Sequence, residues 1–169
     1  YSGTNTHVVL EEYLPPSAPT PLSTDARRHA IVLSAKTDEA LHRQAEQLRI
    51  QFGYGNANPG NLASYRKINV TLTDLAYTLQ VGREAMEERL AMIVSDLDEL
   101  STKLTDFLAG KKDGLYRGTA LRKDPRGGAH PTGTAHLETL ARSWVQGADV
   151  DWRSLYGETS PKRTPLPVY

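Results

Sequence analysis

The histidines are the first residues to weigh for proton transfer or metal binding: His7, His29, His42, His130 and His136. An imidazole titrates near neutrality and ligates zinc readily, but either role needs partners at a definite spacing. His130 and His136 lie six residues apart, with no carboxylate or third ligand at a zinc-like interval, so no metal site is expected. His42 is expected on the polar side of a helix, in solvent. Glu87 and Glu88 are adjacent acids, and neighbours on a strand point to opposite faces, so they read as surface charges rather than an acid–base pair. The chain has no cysteine. That excludes a thiol nucleophile, a thiolate metal site and a disulfide framework. No Gly-x-Ser-x-Gly nucleophile turn is present. Gly53-Tyr54-Gly55-Asn56-Ala57 follows no strand and opens no helix, so it reads as a loop rather than a phosphate cradle.

Charge offers a second kind of chemistry, recognition of a partner. Lys and Arg number 20 and so do Asp and Glu, giving zero formal net charge. The balance argues against nucleic acid as a partner. It conceals two uneven segments. Glu84 to Asp106 holds seven acids and two bases, whereas Lys111 to Gly128 holds six bases and two acids. Glu84, Glu87 and Glu88 are therefore the acidic candidates for partner binding, and Lys111, Lys112, Arg117 and Arg122 the basic ones. The basic stretch has one interleaved aromatic, Tyr116, a poor stacking platform for single strands. Trp144 and Trp152 could anchor an interface, but Trp144 falls on an apolar helix face, and no periodicity places Trp152.

These residues need elements to hold them. Thr6 to Glu11 reads as a strand, and Pro15, Pro16, Pro19 and Pro21 then require an extended connector. His29 to Ser34 is a short, β-branched, buried strand. Leu41, Ala45, Leu48 and Phe52 step by 4, 3 and 4, one helical face, capped by Thr37 and closed by Gly53. Gly53 to Lys67 is a polar loop. A second helix spans Thr71 to Val81, with Thr71 and Asp74 as a capping box and Leu72, Leu75, Ala76 and Leu79 on one face. Arg89 to Val94 is a strand. Ser95 and Asp98 form the next expected box, and the helix after it turns Leu97, Leu100, Leu104, Phe107 and Leu108 inward. Leu115 to Leu121 is a weaker strand because Gly118 interrupts it. Arg122 to Gly133 is polar and glycine-rich, a mobile loop. The last helix, Ala135 to Gln146, turns Leu137, Leu140, Ala141, Trp144 and Val145 inward, and an extended tail follows.

The expected class is α+β: a small, mostly antiparallel three-stranded sheet in two layers, with helices mainly on one face. At 169 residues the chain holds one domain with tails. No apolar run approaches the roughly 18 residues that span a bilayer, so no membrane partner is expected. The start, Tyr1-Ser2-Gly3, lacks a signal peptide and an initiator Met, suggesting a cytoplasmic fragment.

Two stretches at opposite ends carry a resemblance. Ser2-Gly3-Thr4-Asn5-Thr6-His7-Val8-Val9-Leu10-Glu11-Glu12 resembles the closing segment of ketosynthase domains in modular polyketide synthases, which usually have Ala where Thr6 stands. Trp144-Val145-Gln146-Gly147, Val150-Asp151-Trp152, Leu155-Tyr156 and Leu166-Pro167-Val168-Tyr169 look like the linker that returns to the ketosynthase. Between them, His29 to Leu121 is similar to the small linker domain that follows it. The resemblance implies four parts: 1–14 the last ketosynthase strand, 15–28 the Pro-rich connector, 29–147 the α+β linker domain, and 148–169 the return tail.

The resemblance gives His7 a role only in the parent enzyme, where such a histidine serves a cysteine during decarboxylative condensation. This chain has no cysteine and so no catalysis is expected of it alone. In synthases with a built-in acyltransferase, that domain lies between the third strand and the return helix. Here 15 residues separate Thr119 from Ala135. The gap resembles a trans-acyltransferase synthase, in which a separate enzyme delivers malonyl units. The implied partners are that acyltransferase, the acyl carrier protein with its phosphopantetheine, and the upstream ketosynthase. No cofactor is expected on this chain. The implied function is a non-catalytic docking and scaffold module, or alternatively a structural spacer.

Overall fold

Two strands with almost unbroken burial set the architecture. The computed structural model describes residues 28–52, 70–120, 124–129, 137–157 and 160–166. The expected strand at 6–11, the Pro-rich connector and the loop 53–67 lie outside these. Strand β1, His29–Ala35, is buried at every position after the first, and so is β2, Glu88–Val94. They pair antiparallel with Ile31 opposite Met92 and Leu33 opposite Leu90. Strand β3, Leu115–Thr119, pairs antiparallel on the other side of β2, giving the order β1-β2-β3. The fold is α+β, as expected.

Helix α1, Asp38–Phe52, buries Leu41, Ala45, Leu48 and Phe52, the four residues its spacing singles out. Thr37 Oγ1 accepts from the Ala40 N–H at 3.2 Å and caps it. Helix α2, Leu72–Val81, is capped by Thr71, whose Oγ1 accepts from the Asp74 N–H at 3.1 Å. Its six consecutive residues Leu75 to Gln80 are buried, so more than one face is covered. Helix α3, Leu97–Leu108, starts one residue later than the Ser95–Asp98 box implies. Asp96 has extended backbone, and its Oδ1 accepts from the Glu99 N–H at 2.7 Å. The Ser95 hydroxyl instead donates to Glu99 Oε2 at 2.8 Å. Helix α4, Leu137–Val145, buries Leu137, Leu140, Ala141, Trp144 and Val145.

The expectation of helices mainly on one sheet face needs an addition. Side chains alternate across a strand. Arg117, opposite Leu90, reaches Asp38 of α1 and lies over Phe107 of α3. Arg89, opposite Gly118, reaches the backbone of α4, and Ser34 beside it bonds the chain just after α2. So α1 and α3 cover one face, while α2 and α4 cover part of the other. This is why adjacent strand residues are all buried.

Gly118 is a close-approach residue. A Cβ there would lie 2.3 Å from the Val145 carbonyl oxygen, so the α4 C-terminus packs directly on β3.

One expectation is corrected. Part of the stretch read as a mobile loop forms strand β4, Asp124–Ala129, parallel to β5, Ala148–Val150, which lies in the expected extended tail. Pairing supplies backbone partners that a polar, glycine-rich composition does not advertise. A 3-10 helix, Trp152–Tyr156, follows. Trp152 is buried, its ring 6.4 Å from that of Trp144, so both indoles belong to the core.

Candidate functional site

Arg117 joins the two charge-bearing segments. β3 carries its guanidinium to the start of α1, where Nη2 donates to Asp38 Oδ1. The same Nη2 is 3.9 Å from Glu88 Oε2, and Cζ lies 5.9 Å from the Phe107 ring centre. Glu88 is held in turn by the Thr119 hydroxyl at 3.0 Å. His42 completes the cluster. Its ring stacks on Phe107 at 4.6 Å, and Nδ1 is 3.3 Å from Asp38 Oδ1. His42 is therefore packed into a surface cluster rather than standing free in solvent. The cluster sets one guanidinium against two carboxylates and contains no nucleophile–base pair.

The other described candidates make no contact with this cluster that brings them into it. Lys111 follows the C-terminus of α3, where Gly110 at φ 78 lets the Lys111 N–H reach the Asp106 carbonyl at 2.9 Å. The turn sets Lys111 Nζ 2.8 Å from Asp106 Oδ1, and that hydrogen bond raises the ammonium above its usual range. Lys112, Glu84 and Glu87 are exposed and make no salt bridge among the described residues. Glu84 and Glu87 are tied down through their backbones: the Glu84 carbonyl accepts from the Ser34 hydroxyl at 3.4 Å, the Glu87 carbonyl from the Ala120 N–H at 2.7 Å. His7 and Arg122 lie outside the described residues. Among the described residues, no group of three His, Asp or Glu is placed to hold a metal.

Sequence reasoning passed over Arg89. It is 4% exposed, donating from Nε to the Met86 carbonyl at 2.8 Å and from Nη1 to the Trp144 carbonyl at 2.6 Å. Its Cζ sits 5.0 Å over the Trp144 ring. Burial lowers its guanidinium from the usual range, and Asp149 and Glu87 oppose that. A charge in the run Arg89 to Val94 was the available signal, because a strand buried on both faces must compensate any ion it carries.

Beside β1 lies a narrow cleft of about 50 Å³, between α1 residues Gln44 and Gln47 and α2 residues Leu79 and Gln80. That is room for a few waters, not a metabolite.

The described residues thus form a small α+β domain, braced by an internal guanidinium and carrying mixed charge outside. Residues 32–111 match the RhiE-like, KS-MAT linker domain. Polyketide synthase PksM of Bacillus subtilis (strain 168) is 39% identical over 183 residues, covering 99% of this chain and 4% of that protein. PksN of the same organism is 36% identical over 181 residues, 99% of this chain and 3% of that protein. The chain thus spans a small fraction of the curated relatives it matches. A ketosynthase from module 6 of the bacillaene synthase of Bacillus subtilis 168 superposes with TM-score 0.67 at 30% identity, over 86% of this chain and 26% of that one. The module 1 ketosynthase of the bacillaene synthase of Bacillus amyloliquefaciens FZB42 gives 0.62 at 36%, over 86% and 22%. The chain is a linker region of a polyketide synthase.

Proposed function

We propose that this domain is a non-catalytic scaffold that docks a free-standing acyltransferase beside a ketosynthase, so that malonyl units reach the carrier protein's phosphopantetheine locally. One observation supports it above others. The stretch between Thr119 and Leu137 is short, and the elements it joins already pack against each other, with Gly118 of β3 against the Val145 carbonyl of α4. The junction is too short to hold an acyltransferase domain, which supports delivery by an enzyme from elsewhere. Weak docking would raise its effective concentration near the carrier protein. Lys111, Lys112 and Arg122 on the basic side and Glu84 and Glu87 on the acidic side are the candidate contacts. Arg117 and Glu88, already engaged with one another, contribute less.

The test is titration of the purified chain with the acyltransferase of its own synthase, followed by calorimetry and NMR. Binding weakened by Lys111→Glu with Lys112→Glu supports docking. No heat and no shift at high micromolar concentration would remove it. The bracing role is the second reading, favoured by the backbone bonds that tie the tail to α2. It requires acyl loading to be indifferent to the double charge reversal.

A further inference from the structure

Helix α2 carries acceptors that meet the extended segment 160–166. Asp74 Oδ1 accepts from the Lys162 N–H at 2.8 Å, and Thr78 Oγ1 accepts from the Thr164 N–H at 2.9 Å. The match is geometric. Four helical residues advance roughly 6 Å along α2. Two residues of an extended chain advance roughly 6.6 Å. Acceptors at i and i+4 of a helix therefore meet alternate amides of a strand-like segment. Neither acceptor is a casual one. The Thr78 hydroxyl spends its own proton on the Asp74 carbonyl at 2.6 Å, so its lone pairs face the tail. Asp74 Oδ2 accepts from the Thr71 hydroxyl at 2.8 Å, fixing the carboxylate that Lys162 uses. Two residues beyond Thr164, Leu166 enters the wall of the cleft beside β1 with Val32, Leu79 and Trp144. A second anchor lies upstream: Tyr156 Oη donates to Gln80 Oε1 at 2.7 Å, and Gln80 Nε2 donates to the Ala30 carbonyl at 2.6 Å.

We infer that α2 is a receptor face for an extended chain segment, with residues 162–166 as its built-in ligand, seated as a removable strap with Leu166 as the plug of the cleft. The face reads backbone donors at two alternate positions and one apolar side chain two residues on. Lys162 and Arg163 side chains are exposed and are not what it recognises. Unseating opens the Val32–Leu79–Trp144 wall to solvent without breaking the sheet, because the Gln80–Ala30 and Tyr156–Gln80 bonds lie upstream of the strap.

Amide hydrogen exchange by NMR on the full chain tests this. Thr78→Val keeps the side-chain shape and removes the acceptor. The Thr164 amide should exchange about tenfold faster, the size expected for one net hydrogen bond, while the amides of Tyr77 and Leu79 keep their rates. Asp74→Ala should do the same to the Lys162 amide, and Asp74→Asn, which retains an oxygen acceptor, should restore most of its protection. An unchanged Thr164 rate in Thr78→Val overturns the assignment. Equal slowing of strap and β1 amides, at the rate of global unfolding, overturns removability. Strap protection that rises with protein concentration would show that a second copy supplies the segment, and would overturn the intramolecular form.

Discussion

Two arginines on one sheet have opposite fates. Arg89 of β2 points to the α4 side and is 4% exposed, whereas the Arg117 side chain of β3 points to the α1–α3 side and is 45% exposed. Arg89 ends on two main-chain carbonyls, those of Met86 and Trp144, the second shared with the Gly147 N–H at 3.0 Å. Arg117 ends on two carboxylates that water could serve as well. The same group is thus a structural rivet on one face and an adjustable surface contact on the other. Burial decides which: an unpaired polar group in the interior costs the full desolvation penalty, while at the surface solvent replaces the partner. Both faces of the sheet are covered by helices, so the contrast lies between an interior guanidinium and one at the rim of the α1–α3 face.

The largest effect expected from this contrast is at Arg89. Arg89→Ala should remove the side-chain donor from the Met86 and Trp144 carbonyls, leaving the latter only the Gly147 N–H, open a hole beside the Trp144 ring and lower stability by about 2–4 kcal/mol. The urea midpoint measures it. Arg89→Lys should recover little, because an ammonium lacks the planar fork that reaches two carbonyls together. A midpoint shift below ~1 kcal/mol in Arg89→Ala would collapse the distinction between the two sides. Next comes Gly118→Ala, on the same face. Its methyl would press on the Val145 carbonyl oxygen at 2.3 Å, against backbone rather than a flexible side-chain tip. The α4 C-terminus must withdraw, at a cost of roughly 2–3 kcal/mol. A neutral result would mean that α4 slides freely on β3.

How much of this was legible depends on what encodes each feature. The buried face of α1 was written in the spacing of Leu41, Ala45, Leu48 and Phe52, because a helix repeats locally. The strands β1 and β2 were visible as β-branched apolar runs. Strand β4 was not, because its pairing with β5 is a backbone event between distant residues, and Gly127 and Gly128 advertise a loop. The α3 cap was off by one residue because Ser95 and Asp96 both have cap chemistry, and the choice rests on a backbone dihedral. The candidate charges were found by counting, but their engagement was not: Arg117 and Asp38 are 79 residues apart in the chain. Arg89 was passed over because a lone charge in an apolar strand looks the same whether it ends in solvent or on a carbonyl.

A smaller effect is expected at the N-terminus of α3, and it comes with a pH signature. Partial burial works against the charge on Glu99, yet the Lys103 ammonium and the Ser95 N–H and hydroxyl outweigh it and hold the carboxyl down to about 2. The folded value lies below the unfolded one of about 4.3. This contribution is therefore complete at neutral pH and is lost as the pH falls through the folded value. The Glu99 side chain is 37% exposed, so solvent screening leaves ~1 kcal/mol or less. Glu99→Gln should lower stability by that much at pH 7, and parent and variant should converge toward pH 2. Parallel pH curves would show that the carboxylate charge plays no part in holding the cap.

The smallest effect is expected at Arg117, and it is the sharpest test of the comparison. Arg117→Gln removes the contacts to Asp38 and Glu88, but solvent reaches all three side chains, so the loss should be under ~1 kcal/mol. The residual difference should shrink in about 0.5 M salt, because exposed charges more than a few ångströms apart are screened there. The Arg89→Ala penalty should not shrink, because its partners are buried dipoles. A double-mutant cycle of Arg117→Gln with Asp38→Asn isolates the pair, and its coupling should be near the exposed-pair range of ~0.2–1 kcal/mol. Salt-insensitive coupling of several kcal/mol would place Arg117 with Arg89 as part of the frame. Weak, salt-sensitive coupling leaves Arg117, Asp38 and Glu88 able to exchange partners at little cost.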